Sequence, residues 1–566
     1  MSESVMNGLR PYDLWKRCAA FCMVCVGILA MFMGLDAGAC DIGDESYQAL
    51  CVRHWEQSPL AMLSYFIGHV WTDIFGDDIK NLRGLTYVIM CASVSVGCLY
   101  FFHRTRNGFV AAFFFFLCCV GARISEFNLY NWDTGSYLWD ALCLVAMLAF
   151  TSRPRGYIAV ILGALSAFMA LSRLPLAAET GVIAVAIILS CRRKGYGTGR
   201  IVGMLALALA GFMVTVLSVT TLMCGSFWTY LSAFTQDNII TGHSLSDINW
   251  FIWRFRALLM RQMLYVSPGI FCLLGALWIV KVRSYKWLYG VFFVLAMVFY
   301  CYDLYWEFRD FTSFIWPLVG CFLPFFLIPV LLLPASVAIG EMDGKSVPYL
   351  QIWLTLAFVV MLGFGSDTAM ERMCGVFALP AAMGWIYPRL EGKFRDLMKI
   401  FFIFAAVVVV ALFVTRLHFQ HKELRYSIPG LPHNSEVRLP EGQYKFLSST
   451  LPMVEACHDL GMKYTVIGDR YPFLYIMGDD NGLPLHYYDA HLRSDEARPY
   501  AVAMSPYTSE SDAVILAAWP RESLPAVDRL LEAQGYEVVV EETEVCVWVR
   551  PQWKSRFLQS ISAETK

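Results

Sequence analysis

The sequence predicts an α-helical polytopic membrane protein with a small α/β domain at its C-terminus. Three observations point there. Hydrophobic residues make up 58% of the 566, against about 45–50% in an average soluble domain. Charged residues make up only 16%, against about 25%. Apolar runs close to the roughly 20 residues a helix needs to cross a bilayer recur up to residue 415. The same composition excludes a plain soluble enzyme and a disordered chain. A formal net charge of −2 offers no basic excess to neutralise a phosphate backbone, which excludes a nucleic-acid binder.

About thirteen runs read as transmembrane helices. They are 17–36, 83–102, 108–124, 136–151, 156–173, 177–191, 201–224, 264–282, 287–302, 311–333, 349–364, 375–388 and 398–415. The first is too long for a signal peptide, shows no clear cleavage site and is followed by more spans. Lys and Arg of short loops fix the orientation. Arg10, Lys16 and Arg17 precede the first run, and alternate loops carry Arg104 and Arg106, Arg153 and Arg155, Arg192 to Lys194, Lys281 to Lys286, and Arg389 to Lys399. These share the cytoplasmic side with the N-terminus. The loop 334–348, with Lys345 alone, is the weakest of the set. An odd number of spans then puts everything after about residue 416 outside, giving a membrane domain over 1–416 and an outer domain over 417–566.

The tail has ordinary soluble composition. Residues 463–468 and 512–518 read as strands, 524–534 as a helix ending near Gly535, and 536–541 with 543–549 as a strand pair. Most cysteines lie inside apolar runs and act as small hydrophobes. Cys40 and Cys51 bracket a polar loop, where an oxidising compartment would allow a disulfide.

The outer loops hold the polar residues that need explaining. The first, starting at Asp36, adds Asp41, Asp44 and Glu45 just beyond a span, followed by Tyr47. Paired carboxylates there can act as a general base or hold a cation, or simply be solvated. Asp133 lies in a second outer loop at the start of the fourth span, where it would serve equally as a helix cap. Arg173 ends the fifth span on the side that positive-inside statistics disfavour. It suits an anion at headgroup depth, or snorkels to lipid. Arg309, just outside the tenth span, reads the same way, or pairs with Glu307 or Asp310. The loop 225–263 is rich in aromatics and arginines and reads in its second half as an interfacial helix. The charges thus gather at the ends of spans.

The chain resembles the GT-C class of polytopic glycosyltransferases, and within it the group of protein O-mannosyltransferases and the lipid A aminoarabinose transferase ArnT. The group's first-loop Asp-Glu and Tyr stand here as Asp44-Glu45-Ser46-Tyr47. A Pro-containing stretch into a re-entrant or interfacial helix matches Ser58 to Tyr65, then Ile74-Phe75-Gly76-Asp77 and Leu82-Arg83-Gly84-Leu85, and a second-loop Asp matches Asp133. A Thr-Lys-x-Pro element is approximated by Ser172-Arg173-Leu174-Pro175, and an Arg-Tyr then Pro element by Arg309 to Pro317. Gln57 and Ser58 stand where the group carries His or Lys, and Asp310 where it carries Tyr.

The resemblance implies a GT-C-like fold in a bacterial inner membrane and an inverting transfer of sugar from a polyprenyl-phosphate donor to a hydroxyl of a lipid, glycan or protein. Asp44 would be the base. Glu45 and Asp133 would position the acceptor or Asp44, with Asp41 and Tyr47 close by. Arg173 and Arg309 would hold the donor phosphate. No cofactor is required, although a Mg or Mn ion shared by Asp44 and Asp133, as in related oligosaccharyltransferases, is compatible. The rival readings are an O-antigen ligase or polymerase, which expects paired Arg and a His in a late outer loop, and a lipid-linked glycan transporter or flippase, which expects charges near mid-span.

Overall fold

The computed structural model describes residues 11–33, 44–57, 61–124, 130–233, 348–362, 377–390, 392–433, 438–468, 473–478, 506–517, 525–542 and 545–564, with a few single positions besides. Helices dominate them. In order these are α1 (Pro11–Phe32), α2 (Asp44–Arg53), α3 (Met62–Phe75), α4 (Ile79–Thr105), α5 (Gly108–Ile124) and α6 (Trp132–Ser152). There follow α7 (Gly156–Ser172), α8 (Glu179–Arg193), α9 (Thr198–Cys224), α10 (Tyr349–Leu362), α11 (Ala378–Ile386) and α12 (Gly392–Glu423).

Six runs among the described residues are long and apolar enough to cross a membrane: Leu14–Phe32, Ile79–Thr105, Trp132–Ser152, Leu174–Arg193, Thr198–Cys224 and Met398–Thr415. Shorter apolar helices occupy Gly108–Arg123, Gly156–Ser172 and Tyr349–Leu362. Every one falls on a run read as a span from the sequence. The expected spans 264–282, 287–302 and 311–333 lie outside the described residues, apart from single positions, and 375–388 yields only the short α11. The expected thirteen therefore stand as six of spanning length among the described residues. Most of the loop 225–263 also lies outside them, after a helical stretch at 227–233.

Packing ranks the helices. α6 is the hub, touching α3, α4, α7, α8 and α10. α9 is peripheral and turns Val202, Leu209, Val214 and Leu222 outward, as a lipid-facing helix should with no water to avoid. It meets α7 closely, because a Cβ on Gly163 or Gly211 would overlap the facing backbone at Ala208 or Val160. Small residues at such crossings let van der Waals contact replace the hydrophobic drive that is missing in lipid.

The apolar run of α12 ends at Thr415, yet the helix continues to Glu423, past the boundary expected at 416/417. Hydropathy marks the bilayer's thickness, not the end of the hydrogen-bonded helix. Beyond it come α13 (Glu441–Asp459), β1 (Tyr464–Ile467), α14 (Phe473–Ile476), β2 (Ala513–Ala517), α15 (Pro525–Ala533), β3 (Glu537–Glu541), β4 (Val545–Val549) and α16 (Lys554–Glu564). The strands form one sheet in the order β1-β2-β4-β3. β1 and β2 are parallel, β2 and β4 antiparallel, and β3 pairs β4 antiparallel with an irregularity between Val538 and Val540. All four strands fall within the runs read as strands from the sequence. α15 stops before Gly535, whose φ of +84° takes the chain into β3.

Candidate functional site

Asp44 opens α2, but its side chain lies outside the described residues, as do Asp41, Arg309 and Cys40. Glu45, half-buried, sits 3.4 Å from a guanidinium nitrogen of Arg83 on α4. Arg83 is fully buried, and its Nη1 donates to the carbonyl of Leu35 at 3.2 Å. One side chain therefore ties both flanks of residues 36–44, where Asp36, Asp41 and Asp44 occur. Arg123 on α5 adds a second tie, from its Nε to the carbonyl of Met33 at 3.0 Å. Tyr47 and Cys51 are buried in the core, so Tyr47 packs α2 down and does not line an open surface.

Asp133 and Arg173 meet. Arg173 Nε lies 3.1 Å from Asp133 Oδ1, and the side chains are 4% and 3% exposed. Arg173 Nη1 also donates to the carbonyl of Leu362 at the end of α10, at 3.0 Å. Such burial rules out snorkelling to lipid headgroups for Arg173. The capping role open to Asp133 belongs to Asn131 instead. The Asn131 side chain accepts from Thr134 N at 2.9 Å, and the Thr134 hydroxyl accepts from Asn131 N at 2.9 Å. This reciprocal box satisfies the first free amides of α6 and leaves the Asp133 carboxylate for the guanidinium.

Ser64 on α3 holds the two helix ends together. Its hydroxyl donates to the carbonyl of Ser172 at 3.0 Å, and its carbonyl accepts from Tyr130 Oη at 2.6 Å. Gly135 allows this approach, since a Cβ there would overlap the Ser64 hydroxyl. α3 also packs on α2, so one helix touches both the helix that carries Glu45 and, through Ser64, the end of α7 beside Arg173.

Two acids were not singled out from the sequence. Asp140 lies about two turns into α6. It is fully buried, with the Ser136 hydroxyl 3.0 Å from Oδ2. Glu179, at the start of α8, is also fully buried, and neither carboxylate oxygen has a hydrogen-bond partner among the described residues. Asp140 corrects the expectation that charges sit only at span ends, whereas Glu179 stands near the end of its span. The signal was available, because a carboxylate inside an apolar run is costly and calls for a role or a partner.

A divalent ion shared by Asp44 and Asp133 fits poorly, because an ion on Asp133 Oδ1 would face the Arg173 guanidinium 3.1 Å away. Arg173 is a buried cation that faces one carboxylate and one carbonyl, and α2 begins with two adjacent acids.

No protein-family model matches the chain, and no curated protein does. Among solved structures it is similar to ArnT from Cupriavidus metallidurans in the apo state, with 13% identity, 95% of this chain and 98% of that one covered, and a TM-score of 0.41. It is also similar to ArnT from Cupriavidus metallidurans bound to undecaprenyl phosphate, with 13% identity, 93% and 97% covered, and a TM-score of 0.38.

Proposed function

We propose that this chain is an integral-membrane glycosyltransferase that moves a sugar from a polyprenyl-phosphate donor to a hydroxyl of a lipid, glycan or protein, with inversion. The observation that carries the reading is the buried Arg173–Asp133 pair, linked through α3 to α2, which begins with Asp44 and Glu45. A guanidinium fork suits a phosphate oxyanion, and low dielectric strengthens the contact.

In this reading the Asp44 carboxylate takes the acceptor's hydroxyl proton. The hydroxyl oxygen forms a bond to the anomeric carbon from the face opposite the phosphate. The bond from that carbon to the phosphate oxygen breaks, and the polyprenyl phosphate leaves with its electrons. Arg173 and Arg309 neutralise the charge that develops there. Asp133 holds the Arg173 guanidinium in orientation, and Glu45 sets α2 through Arg83. No step passes through Mg or Mn. The outer face of a bacterial inner membrane is the proposed location, with the C-terminal sheet unit on the same side.

Lipid and glycan mass spectrometry of a deletion strain tests this. The expected result is one product short of a sugar and accumulation of one lipid-linked sugar. An unchanged lipid-linked pool overturns it.

Asp140 favours a second reading, transport of a lipid-linked glycan, because a buried acid inside a span is what a transporter uses. Movement of a labelled lipid-linked sugar across proteoliposomes without transfer to any acceptor would favour that reading.

A further inference from the structure

α2 has only ten residues, and a helix that short is marginal without support at its ends. Arg83 supports its start through Glu45. Its end, Arg53, meets groups from the far end of the chain. Arg53 Nη2 lies 3.0 Å from Oδ2 of Asp77, in the turn between α3 and α4. The other oxygen of Asp77 lies 3.0 Å from Nδ1 of His433, between α12 and α13. Arg53 Nη2 also lies 3.4 Å from His433 Nε2. Tyr475 of α14 donates its hydroxyl to the carbonyl of Asp77, stacks on His433 at 4.8 Å between ring centres, and lies under the Arg53 guanidinium. Backbone bonds reinforce the joint, from Ile79 N to the His433 carbonyl at 3.1 Å and from His433 N to the Ile476 carbonyl at 3.4 Å. α14 packs directly on α2.

Nε2 faces a permanent donor, which favours the neutral tautomer that accepts there and carries its proton on Nδ1, on the Asp77 side. One neutral imidazole thus joins an anion to a cation, and the three side chains close a ring with Tyr475 as its floor.

We propose that the C-terminal unit is a positioning element of the candidate site, in which His433 and Tyr475 act through Asp77 and Arg53 to fix α2 and with it Asp44 and Glu45. The proposal rests on the glycosyl-transfer reading for its catalytic consequence, but not for the mechanical coupling. Asp77 and His433 are positioning residues. They lie at the opposite end of α2 from the proposed base.

The test uses the full chain in nanodiscs, comparing wild type with Asp77→Asn, Arg53→Gln and, as a control within the C-terminal unit, Lys554→Ala, which removes the Lys554–Glu537 pair. Amide hydrogen exchange is read over residues 45–53 and over β1–β4. Transfer from a polyprenyl-phosphate sugar is read as separate kcat and donor KM. Asp77→Asn and Arg53→Gln are expected to speed exchange in α2 about tenfold, as loss of a charge-assisted contact should. Exchange in the sheet stays unchanged, kcat falls about tenfold, and donor KM holds within about twofold. Lys554→Ala changes none of these. Unaltered α2 exchange in both variants overturns the coupling, and faster α2 exchange with intact kcat overturns the positioning role. If the wild type transfers no sugar while α2 still loosens, the glycosyl-transfer reading fails and the coupling stands.

Discussion

Arg173 Nε lies 3.1 Å from Asp133 Oδ1, and the two side chains are 4% and 3% exposed. The contact joins the end of α7 to the first turn of α6, and Arg173 carries it on to the Leu362 carbonyl at the end of α10. Three helix ends are thereby locked at one point.

Breaking that pair is expected to be costly. Arg173→Ala or Asp133→Ala leaves a buried charge without its counter-charge, at a cost of about 3–5 kcal/mol. The double variant Asp133→Leu with Arg173→Met loses less stability than either alanine variant, because no lone charge remains. Thermal unfolding in detergent distinguishes these, and equal losses in all three would contradict a coupled pair.

The cap of α6 is expected to matter separately. Asn131→Ala removes the acceptor for Thr134 N and lowers stability by about 1 kcal/mol. Asn131→Asp keeps the acceptor and retains most of it. Denaturant unfolding of the two variants checks the assignment of the cap to Asn131.

Gly135→Ala is expected to push α3 from α6. The new methyl would overlap the Ser64 hydroxyl and approach the Tyr130 hydroxyl, costing about 1–3 kcal/mol. Pairing it with Ser64→Gly removes one of the two obstacles, and partial recovery of the unfolding midpoint is the outcome to look for.

The joint at His433 gives a pH dependence. Burial holds its imidazole below the ordinary histidine range, with Asp77 pulling it upward and Arg53 downward. A histidine whose folded pKa is depressed is held neutral, so the unfolded chain takes up the proton more readily. Its contribution to stability is present above the ordinary value near 6.5 and is lost as pH falls below it. Limited proteolysis between α12 and α13 should therefore quicken from about pH 7.5 to 5.5. His433→Gln should flatten that rise, and an equally steep rise in the variant would assign the effect to another group.

The helices were legible because a span needs only an apolar run, and the short strands because brief apolar, β-branched runs bounded by polar residues mark buried strands. Asp133 and Arg173 stood out as charges beside apolar runs, but nothing in their spacing showed that they pair. That contact depends on how α6 and α7 cross and on Ser64 between them. Asp140 and Glu179 escaped notice because hydropathy averaged over a window hides one charge among many apolar neighbours. The joint of Arg53, Asp77, His433 and Tyr475 was invisible for another reason. Each residue alone reads as a polar loop or surface side chain, and only the docking of α14 on α2 brings them together.

The assignment of Asp44 as the base is tested most directly by sugar transfer in proteoliposomes that hold the full chain, a polyprenyl-phosphate sugar and the acceptor identified from the deletion strain. Asp44→Asn should lower kcat by about a hundredfold or more, the range for loss of a general base. Its unfolding midpoint and donor KM should match those of the wild type. Turnover by Asp44→Asn at the wild-type rate would contradict the account.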